Sequence, residues 1–202
     1  MLDLPDTKPL LERLFRPMAL GLSRLGVRPN GLTLASLAIS ALAGTLAVAV
    51  PTAAWPLFVI LAAMLTRLAF NHMDGIIARE LTMRTALGGL LNEIATPAED
   101  IALYLPLAIR PELPAPLIVC AVMSCALVEV AGLASLAIGG ARRFDGPMSK
   151  VVRGVFFGVL VVAVVLGLAP ASWAPLALVL ALILLAVTAG NRLRRAVVEV
   201  RP

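Results

Sequence analysis

Long apolar stretches without charge dominate this chain and restrict what it can fold into. The clearest runs from Gly31 to Val50 without one ionisable side chain. A helix needs about 20 such residues to cross the hydrocarbon core of a bilayer. Hydrophobic residues make up 60% of the 202 residues and charged residues only 14%, a balance typical of a chain solvated by lipid. The low aromatic content, 4%, favours helices over a β-barrel with its aromatic girdles.

About six of these stretches are predicted to be transmembrane helices, and prolines, glycines or arginines separate them. They cover residues 31–50, 53–79, 87–109, 114–138, 151–168 and 173–189. Residues 1–28 interleave leucine and phenylalanine with arginine, which predicts an amphipathic helix lying in the membrane interface. We therefore predict an all-α polytopic membrane protein, with an N-terminal juxtamembrane helix at 1–28 and a transmembrane domain at 29–202.

Basic residues fall on alternate connections between the spans. They precede the first span, separate the second from the third and the fourth from the fifth, and follow the last: Arg24, Arg28, Arg79, Arg84, Arg142, Arg143, Lys150, Arg192, Arg194 and Arg195. By the positive-inside rule, this predicts a multi-pass inner-membrane protein with both termini in the cytoplasm. Arg142 and Arg143 are predicted to contact anionic lipid headgroups. We expect no nucleic-acid partner.

Polar residues concentrate at the end of the second span and along the third. The cluster consists of Asn71, His72, Asp74, Arg79, Asn92, Glu93, Thr96, Glu99 and Asp100. Ionisable residues within a span are costly and mark function. Asn71 and Asp74 share a helix face, which predicts an oxygen-rich cavity between the two spans. Oxygen ligands suit Mg²⁺, Mn²⁺ or Ca²⁺, and Arg79 at the rim is placed to bind a phosphate.

Three further features have predicted structural explanations. Glu129 in the fourth span needs a partner, either an arginine such as Arg67 or a substrate. Cys120 and Cys125 are predicted to be small buried hydrophobic residues. His72, the one histidine of the sequence, is predicted to pack or to face lipid headgroups.

The segment Asp74-Gly75-Ile76-Ile77-Ala78-Arg79, followed after eight residues by Gly88, resembles a known signature. It is similar to D-x-x-D-G-x-x-A-R, about eight residues, G-x-x-x-D-x-x-x-D of the CDP-alcohol phosphatidyltransferases. The segment Pro29-Asn30-Gly31-Leu32-Thr33 looks like the P-N-x-x-T found at the first span of many members. The resemblance implies a homodimeric enzyme of phospholipid biosynthesis. It would transfer a phosphatidyl group from CDP-diacylglycerol to a small alcohol and release CMP.

The resemblance also implies site residues. Two Mg²⁺ or Mn²⁺ ions would bind at the four signature positions, which are here Asn71, Asp74, Asn92 and Thr96. Since three of the four lack a carboxylate, a single or weakly bound ion is expected. Asp74 and Asp100 are the predicted catalytic residues, with Asp100 as a displaced ligand or base; Glu93 and Glu99 are alternatives for that role. The predicted substrate- and nucleotide-binding residues are Asn30, Thr33, Gly75, Ala78, Arg79, Gly88, Lys150 and Arg153.

Alternatives remain open on the sequence alone. Asn30 and Thr33 are equally explained by capping of the first span, and Lys150 and Arg153 by a positive-inside loop. A catalytically impaired member that binds nucleotide or lipid, or supports a partner enzyme, is the main alternative to an enzyme. A transporter or channel explains buried polar residues but not the signature spacing. The acceptor alcohol is not encoded in the signature.

Overall fold

A computed structural model describes residues 8–200, within which all regular secondary structure is helical. The helices are α1 Lys8–Arg24, α2 Pro29–Ala49, α3 Trp55–Glu80, α4 Ala86–Tyr104, α5 Ala115–Ala137, α6 Lys150–Val165 and α7 Pro170–Val200; a 3-10 turn, Leu105–Ile109, extends α4. The all-α architecture is therefore confirmed. Residues 1–7 of the predicted segment 1–28, and residues 201–202 of the predicted domain 29–202, lie outside the described residues.

The six predicted spans correspond to α2 to α7. Four of them, α2, α3, α5 and α7, are long and apolar enough to cross a membrane by themselves. Helix α4 carries three acidic residues, and α6 has only 16 residues. Both still present an apolar outer surface, since Ile94 of α4 and Val155 of α6 are more than half exposed. Helix α7 continues well beyond the predicted end at residue 189.

Local sequence explains where the helices begin. Helices α2, α3 and α5 each have a proline in the first turn, where no backbone N–H is needed for the helix. Helix α4 is capped by Thr85, whose hydroxyl accepts a hydrogen bond from the Gly88 N–H at 3.0 Å. Ser149 caps α6 in the same way by accepting from the Val152 N–H. This cap fixes Lys150 as the first residue of α6.

Two apolar clusters hold the helices together. The larger joins α2 to α7 and the 3-10 turn, and it includes the stacked rings of Tyr104 and Phe157, whose centroids are 4.1 Å apart. The smaller lies beneath α1, where Ala19 packs with Met73 and Ile77 of α3. Helix α1 thus packs one face against the bundle, while Leu14 remains exposed. Its position in the membrane interface stays a prediction.

The two cysteines differ in their surroundings. Cys125 is buried in the larger cluster, as predicted. Cys120 is exposed on the outer surface of α5, so the prediction that it is buried is wrong. The two residues are five positions apart, and on a helix this spacing places them on different faces.

A glycine allows α2 and α4 to approach each other closely. A Cβ atom at Gly44 would lie 2.0 Å from the backbone oxygen of Ala102, which cannot move away as a side chain would. Small residues at such contacts let membrane helices pack closely. This contact sets the distance between α2 and α4, the two helices that flank the polar residues described below.

The substitution Gly44→Ala is expected to destabilise the protein by about 1–3 kcal/mol, because α2 and α4 must separate to admit the methyl group. Thermal unfolding of the purified protein in detergent measures this. Gly31→Ala in the same helix is the matched control, because a Cβ there meets no atom within 4 Å. Equal melting temperatures for the two variants would contradict the close-packing explanation.

Candidate functional site

A polar cleft of about 230 Å³ opens between the start of α2, the end of α3 and the start of α4. It is lined by Pro29, Asn30, Thr33, Asp74, Gly75, Ala78, Met83, Arg84, Thr85, Gly88, Gly89 and Asn92. The structure therefore brings together most residues that the signature singled out. Gly88 keeps the wall open, since a Cβ atom there would lie 2.6 Å from Oδ1 of Asn30.

Asp74 lies at the inner wall of this cleft and is 8% exposed. Its Oδ2 accepts a hydrogen bond of 2.7 Å from the Thr33 hydroxyl, which joins α3 to α2. The same hydroxyl is 3.3 Å from the backbone oxygen of Pro29. Thr33 therefore orients the carboxylate of Asp74, a role that neither of its two sequence-based interpretations included.

A second cavity, of about 620 Å³, forms a mostly apolar groove between α3 and α6. Its polar end is formed by Arg67, Asn71, Tyr104 and Lys150, and Gly154 and Gly158 keep the α6 side of the groove open.

Asn71 lines the groove, whereas Asp74 lines the cleft, one helical turn further along α3. The two cavities therefore approach each other at this turn of α3.

Arg67 is 5% exposed and neutralises two carboxylates of α4. Its Nε lies 2.7 Å from Oε2 of Glu99, and its Nη2 lies 2.7 Å from Oδ1 of Asp100. The other oxygen of Glu99 accepts from the Ser36 hydroxyl. Glu99 and Asp100 are fully buried, so the guanidinium compensates for the cost of burying their charge.

A second set of ion pairs surrounds Glu129 of α5. Arg142 and Arg153 lie 2.6 and 2.8 Å from its carboxylate oxygens, and Arg192 lies 3.4 Å away. Arg153 also contacts Oδ2 of Asp100 at 3.1 Å, which connects this set to the first. The suggestion that Arg67 pairs with Glu129 is therefore wrong, because Arg67 is directed to α4.

Arg142 lies in the connection between α5 and α6. Besides Glu129 it contacts Glu93 at 2.9 Å, so it is an internal ion-pair partner and not the predicted headgroup contact. Burial lowers the pKa of Arg142, but the hydrogen bonds to Glu93 and Glu129 outweigh burial and hold the pKa above its ordinary value.

Lys150 approaches the signature face of α4 from α6. Its Nζ lies 2.9 Å from Oγ1 of Thr96, and the Thr96 hydroxyl donates in turn to the backbone oxygen of Asn92 at 3.1 Å. Thr96 occupies the last signature position. The Lys150 ammonium group therefore contacts the residue at which the resemblance implied a metal ligand.

Arg79, the predicted phosphate ligand, forms an ion pair with α1. Its Nη2 lies 2.6 Å from Oε1 of Glu12 on α1, and it is absent from the cleft lining. Arg84 lines the cleft instead. His72 packs, with its Nδ1 2.7 Å from the Leu68 oxygen and its ring 5.9 Å from that of Phe15.

Sequence reasoning missed several residues that define the site: Ser36, Arg67 as the partner of α4, Arg84, Thr85, Tyr104 and Arg192. Arg67 carried a detectable signal, because a charge in the middle of a span requires a buried partner. Arg84 and Thr85 precede α4 in a turn that the pattern marked only as a break. The hydroxyls of Ser36 and Tyr104 carried no signal that separates them from ordinary packing.

The donor set does not suit a pair of dications. Asp74 is the one carboxylate among the four signature positions, and both roles of the Thr96 hydroxyl are taken by Lys150 and Asn92. The amide nitrogen of Asn71 donates to Glu99 at 3.2 Å, which leaves only its neutral carbonyl oxygen, buried and without a hydrogen-bond partner, as a potential ligand. Each oxygen of Asp100, the predicted displaced ligand or base, faces a guanidinium. Within residues 8–200, no group of three or more His, Cys, Asp or Glu side chains is arranged to hold a metal ion.

The fold places this chain in a structural class. It superposes on the crystal structure of Mycobacterium tuberculosis phosphatidylinositol phosphate synthase (PgsA1), which has CDP-DAG bound, with a TM-score of 0.71. The match covers 91% of this chain and 94% of that one at 20% identity. The chain therefore has the fold of a CDP-alcohol phosphatidyltransferase. No protein-family model matches the sequence.

The sequence itself identifies a narrower group. The inner membrane protein YnbA of Escherichia coli (strain K12) is 40% identical over 195 residues, which cover 96% of each protein. The chain belongs to the family of YnbA. Because this relative is an inner membrane protein and four helices of this chain are long and apolar enough to cross a membrane, the chain is a membrane protein.

The substitution Glu129→Gln is expected to destabilise the protein by about 3–5 kcal/mol, because it leaves three buried or partly buried arginines without their shared counter-charge. Thermal unfolding in detergent measures this change. Glu80→Gln is the control: it removes an exposed pair with Arg16 and should cost no more than about 1 kcal/mol. Similar losses of stability for both variants would show that the buried ion pairs stabilise the fold no more than the exposed pair does.

Proposed function

We propose that this protein binds CDP-diacylglycerol and transfers its phosphatidyl group to a small alcohol, releasing CMP in phospholipid biosynthesis. The observation that carries this proposal is that a cleft containing Asp74 and an apolar groove containing Asn71 lie beside the same turn of α3. A nucleotide suits the cleft, and acyl chains suit the groove. The pyrophosphate that links them would lie beside this turn, between the residues around Asp74 and those around Lys150.

The cleft residues have chemistry that fits a nucleotide and its phosphates. Asn30 and Thr85 offer an amide and a hydroxyl, and Arg84 offers positive charge for a phosphate. Asp74 is the one carboxylate in the described cleft lining. In the proposed step, the alcohol oxygen attacks the phosphatidyl phosphorus while its proton passes to Asp74, and the bond to the CMP oxygen breaks.

Sidedness and partners belong to the same proposal. The cleft opens at the end of the bundle that carries the α2 start and the α3–α4 turn, where Arg28 and Arg84 lie. The positive-inside rule assigns this end, and both termini, to the cytoplasm, near anionic headgroups. The family resemblance also leads us to expect a homodimer and an alcohol acceptor. It implies Mg²⁺ or Mn²⁺ as well, although the donor set described above does not favour these ions.

One observation favours a second candidate function, which is binding of the nucleotide-linked lipid without transfer. The buried acids of α4 that could have replaced the missing signature aspartates, Glu99 and Asp100, are both neutralised by Arg67. A member that only binds would keep the cleft and groove but lack chemistry at Asp74. Turnover separates the two candidates.

CMP release from CDP-diacylglycerol is the deciding measurement, made on purified protein in lipid nanodiscs with a panel of alcohols, with and without divalent ions. Asp74→Asn is expected to lower the rate by about 100-fold or more, because the alcohol proton loses its acceptor. Glu80→Gln, an exposed acid of the same helix, should retain the wild-type rate. Binding of CDP without CMP release for any acceptor would support the second candidate. Absence of both would refute the proposal.

Filling the groove should separate lipid binding from nucleotide binding. Gly158→Phe places a ring against Met64 across the groove and should weaken binding of a short-chain CDP-diacylglycerol by about tenfold or more, as exclusion of a few methylenes predicts. Free CDP should bind unchanged. Gly190→Phe, at an exposed glycine of α7 with no atom within 4 Å of its Cβ position, is the control. Equal loss of CDP and lipid binding would contradict the division between cleft and groove.

A further inference from the structure

Most of the charges at the turn of α3 between cleft and groove are already balanced by side chains. Four acids and four bases form one connected set of ion pairs beside it: Glu93, Glu99, Asp100 and Glu129 against Arg67, Arg142, Arg153 and Arg192. Asp74 and Lys150 lie outside these ion pairs, and each is hydrogen-bonded to a threonine hydroxyl. The set carries no net charge. Two dications would add four positive charges in a site largely shielded from water, and Asp74, the one carboxylate of the site outside these ion pairs, could offset only one of them.

Two bases lie at the polar end of the groove. Lys150 and Arg67 both line it, together with Asn71. Lys150 contacts Thr96, and Arg67 reaches the backbone oxygen of the same residue with its Nη2 at 3.2 Å. Two cationic groups from α6 and α3 therefore converge on the last signature position of α4. At this position the resemblance implied a carboxylate bound to metal.

We propose that Lys150, which has no carboxylate partner, supplies positive charge that divalent ions would otherwise supply, so that this site binds a pyrophosphate-linked ligand without Mg²⁺ or Mn²⁺. The identity of that ligand as a CDP-linked lipid rests on the proposed function. Lysine and arginine are established phosphate-binding groups, and they need no anionic ligands of their own. Positions 71, 92 and 96 lack carboxylates, and Lys150 provides a positive charge beside position 96. On this proposal the two features belong together, because a site whose cation is a lysine needs no carboxylates to bind metal.

Direct metal binding tests this without reference to activity. Mn²⁺ is titrated into wild-type protein in nanodiscs of zwitterionic lipid, and bound ion is followed by electron paramagnetic resonance. We expect no saturable Mn²⁺ binding at Mn²⁺ concentrations below about 1 mM, because oxygen sites with few charged ligands bind divalent ions only weakly. A stoichiometric Mn²⁺ site that Mg²⁺ displaces would overturn the proposal, and this result needs no variant.

A designed variant tests the assignment to Lys150. Asn92→Asp/Thr96→Asp/Lys150→Met restores two carboxylates and removes the ammonium, so it should acquire a saturable Mn²⁺ site. The matched control Asn92→Asp/Thr96→Asp keeps Lys150, which should pair with the new carboxylate at position 96 and weaken Mn²⁺ binding at least tenfold. Equal Mn²⁺ binding by the two folded variants would overturn the assignment.

Ligand binding in the presence of EDTA provides the third measurement. Wild-type protein should bind CDP equally well with EDTA and with Mg²⁺. Lys150→Met should bind it at least tenfold more weakly, Lys150→Arg should largely retain affinity, and Arg195→Met, which removes an exposed partner of Asp145, should change nothing. CDP binding that EDTA abolishes would overturn the proposal. If wild-type protein binds no CDP under either condition, the proposed function fails, and the Mn²⁺ titrations still decide whether fixed cations exclude the metal.

Discussion

The ion pairs between Arg67 and the adjacent carboxylates of Glu99 and Asp100 are the contact on which the site depends. Two buried carboxylates in succession on α4 are costly within a membrane-spanning bundle unless a cation compensates for their charge. Arg67 meets this requirement from α3, and Arg153 extends the pairing to Glu129 on α5. Helices α3, α4, α5 and α6 are thereby held in one register around the polar residues.

This arrangement also explains how a site can exist in helices that are otherwise aliphatic. Membrane helices gain little from apolar contact with each other, because lipid is equally apolar, so small residues and polar contacts fix their positions. Here Gly44 lets α2 meet α4, and the Thr33 hydroxyl joins α2 to Asp74. The cleft opens where these contacts end, at the capped start of α4. Its shape therefore follows from the same interactions that hold the bundle together.

The sequence predicted the architecture well, because long apolar runs and the breaks between them are strong signals in a membrane protein. The spacing of Asp74, Gly75 and Gly88 also placed these residues at one site, and all three line the cleft. Sequence reasoning failed on charge pairing. Nothing in local pattern distinguishes Arg67 from Arg153 as the partner of Glu129, because that choice depends on how helices are rotated about their axes. Likewise, Arg79 fits the signature, yet its direction is set by Glu12 on a helix outside it.

The threonine at position 96 and the lysine that contacts it have to be considered together. An aspartate at 96 facing Lys150 would form an ion pair, and neither group would then be free to bind a metal or a phosphate. A threonine facing a metal would offer a neutral oxygen and hold the ion weakly. Threonine facing lysine avoids both outcomes: the hydroxyl fixes the ammonium with one hydrogen bond and leaves its positive charge unneutralised by that contact. The departures from the signature thus describe a site with a different source of positive charge, which is a more specific hypothesis than simple loss of function.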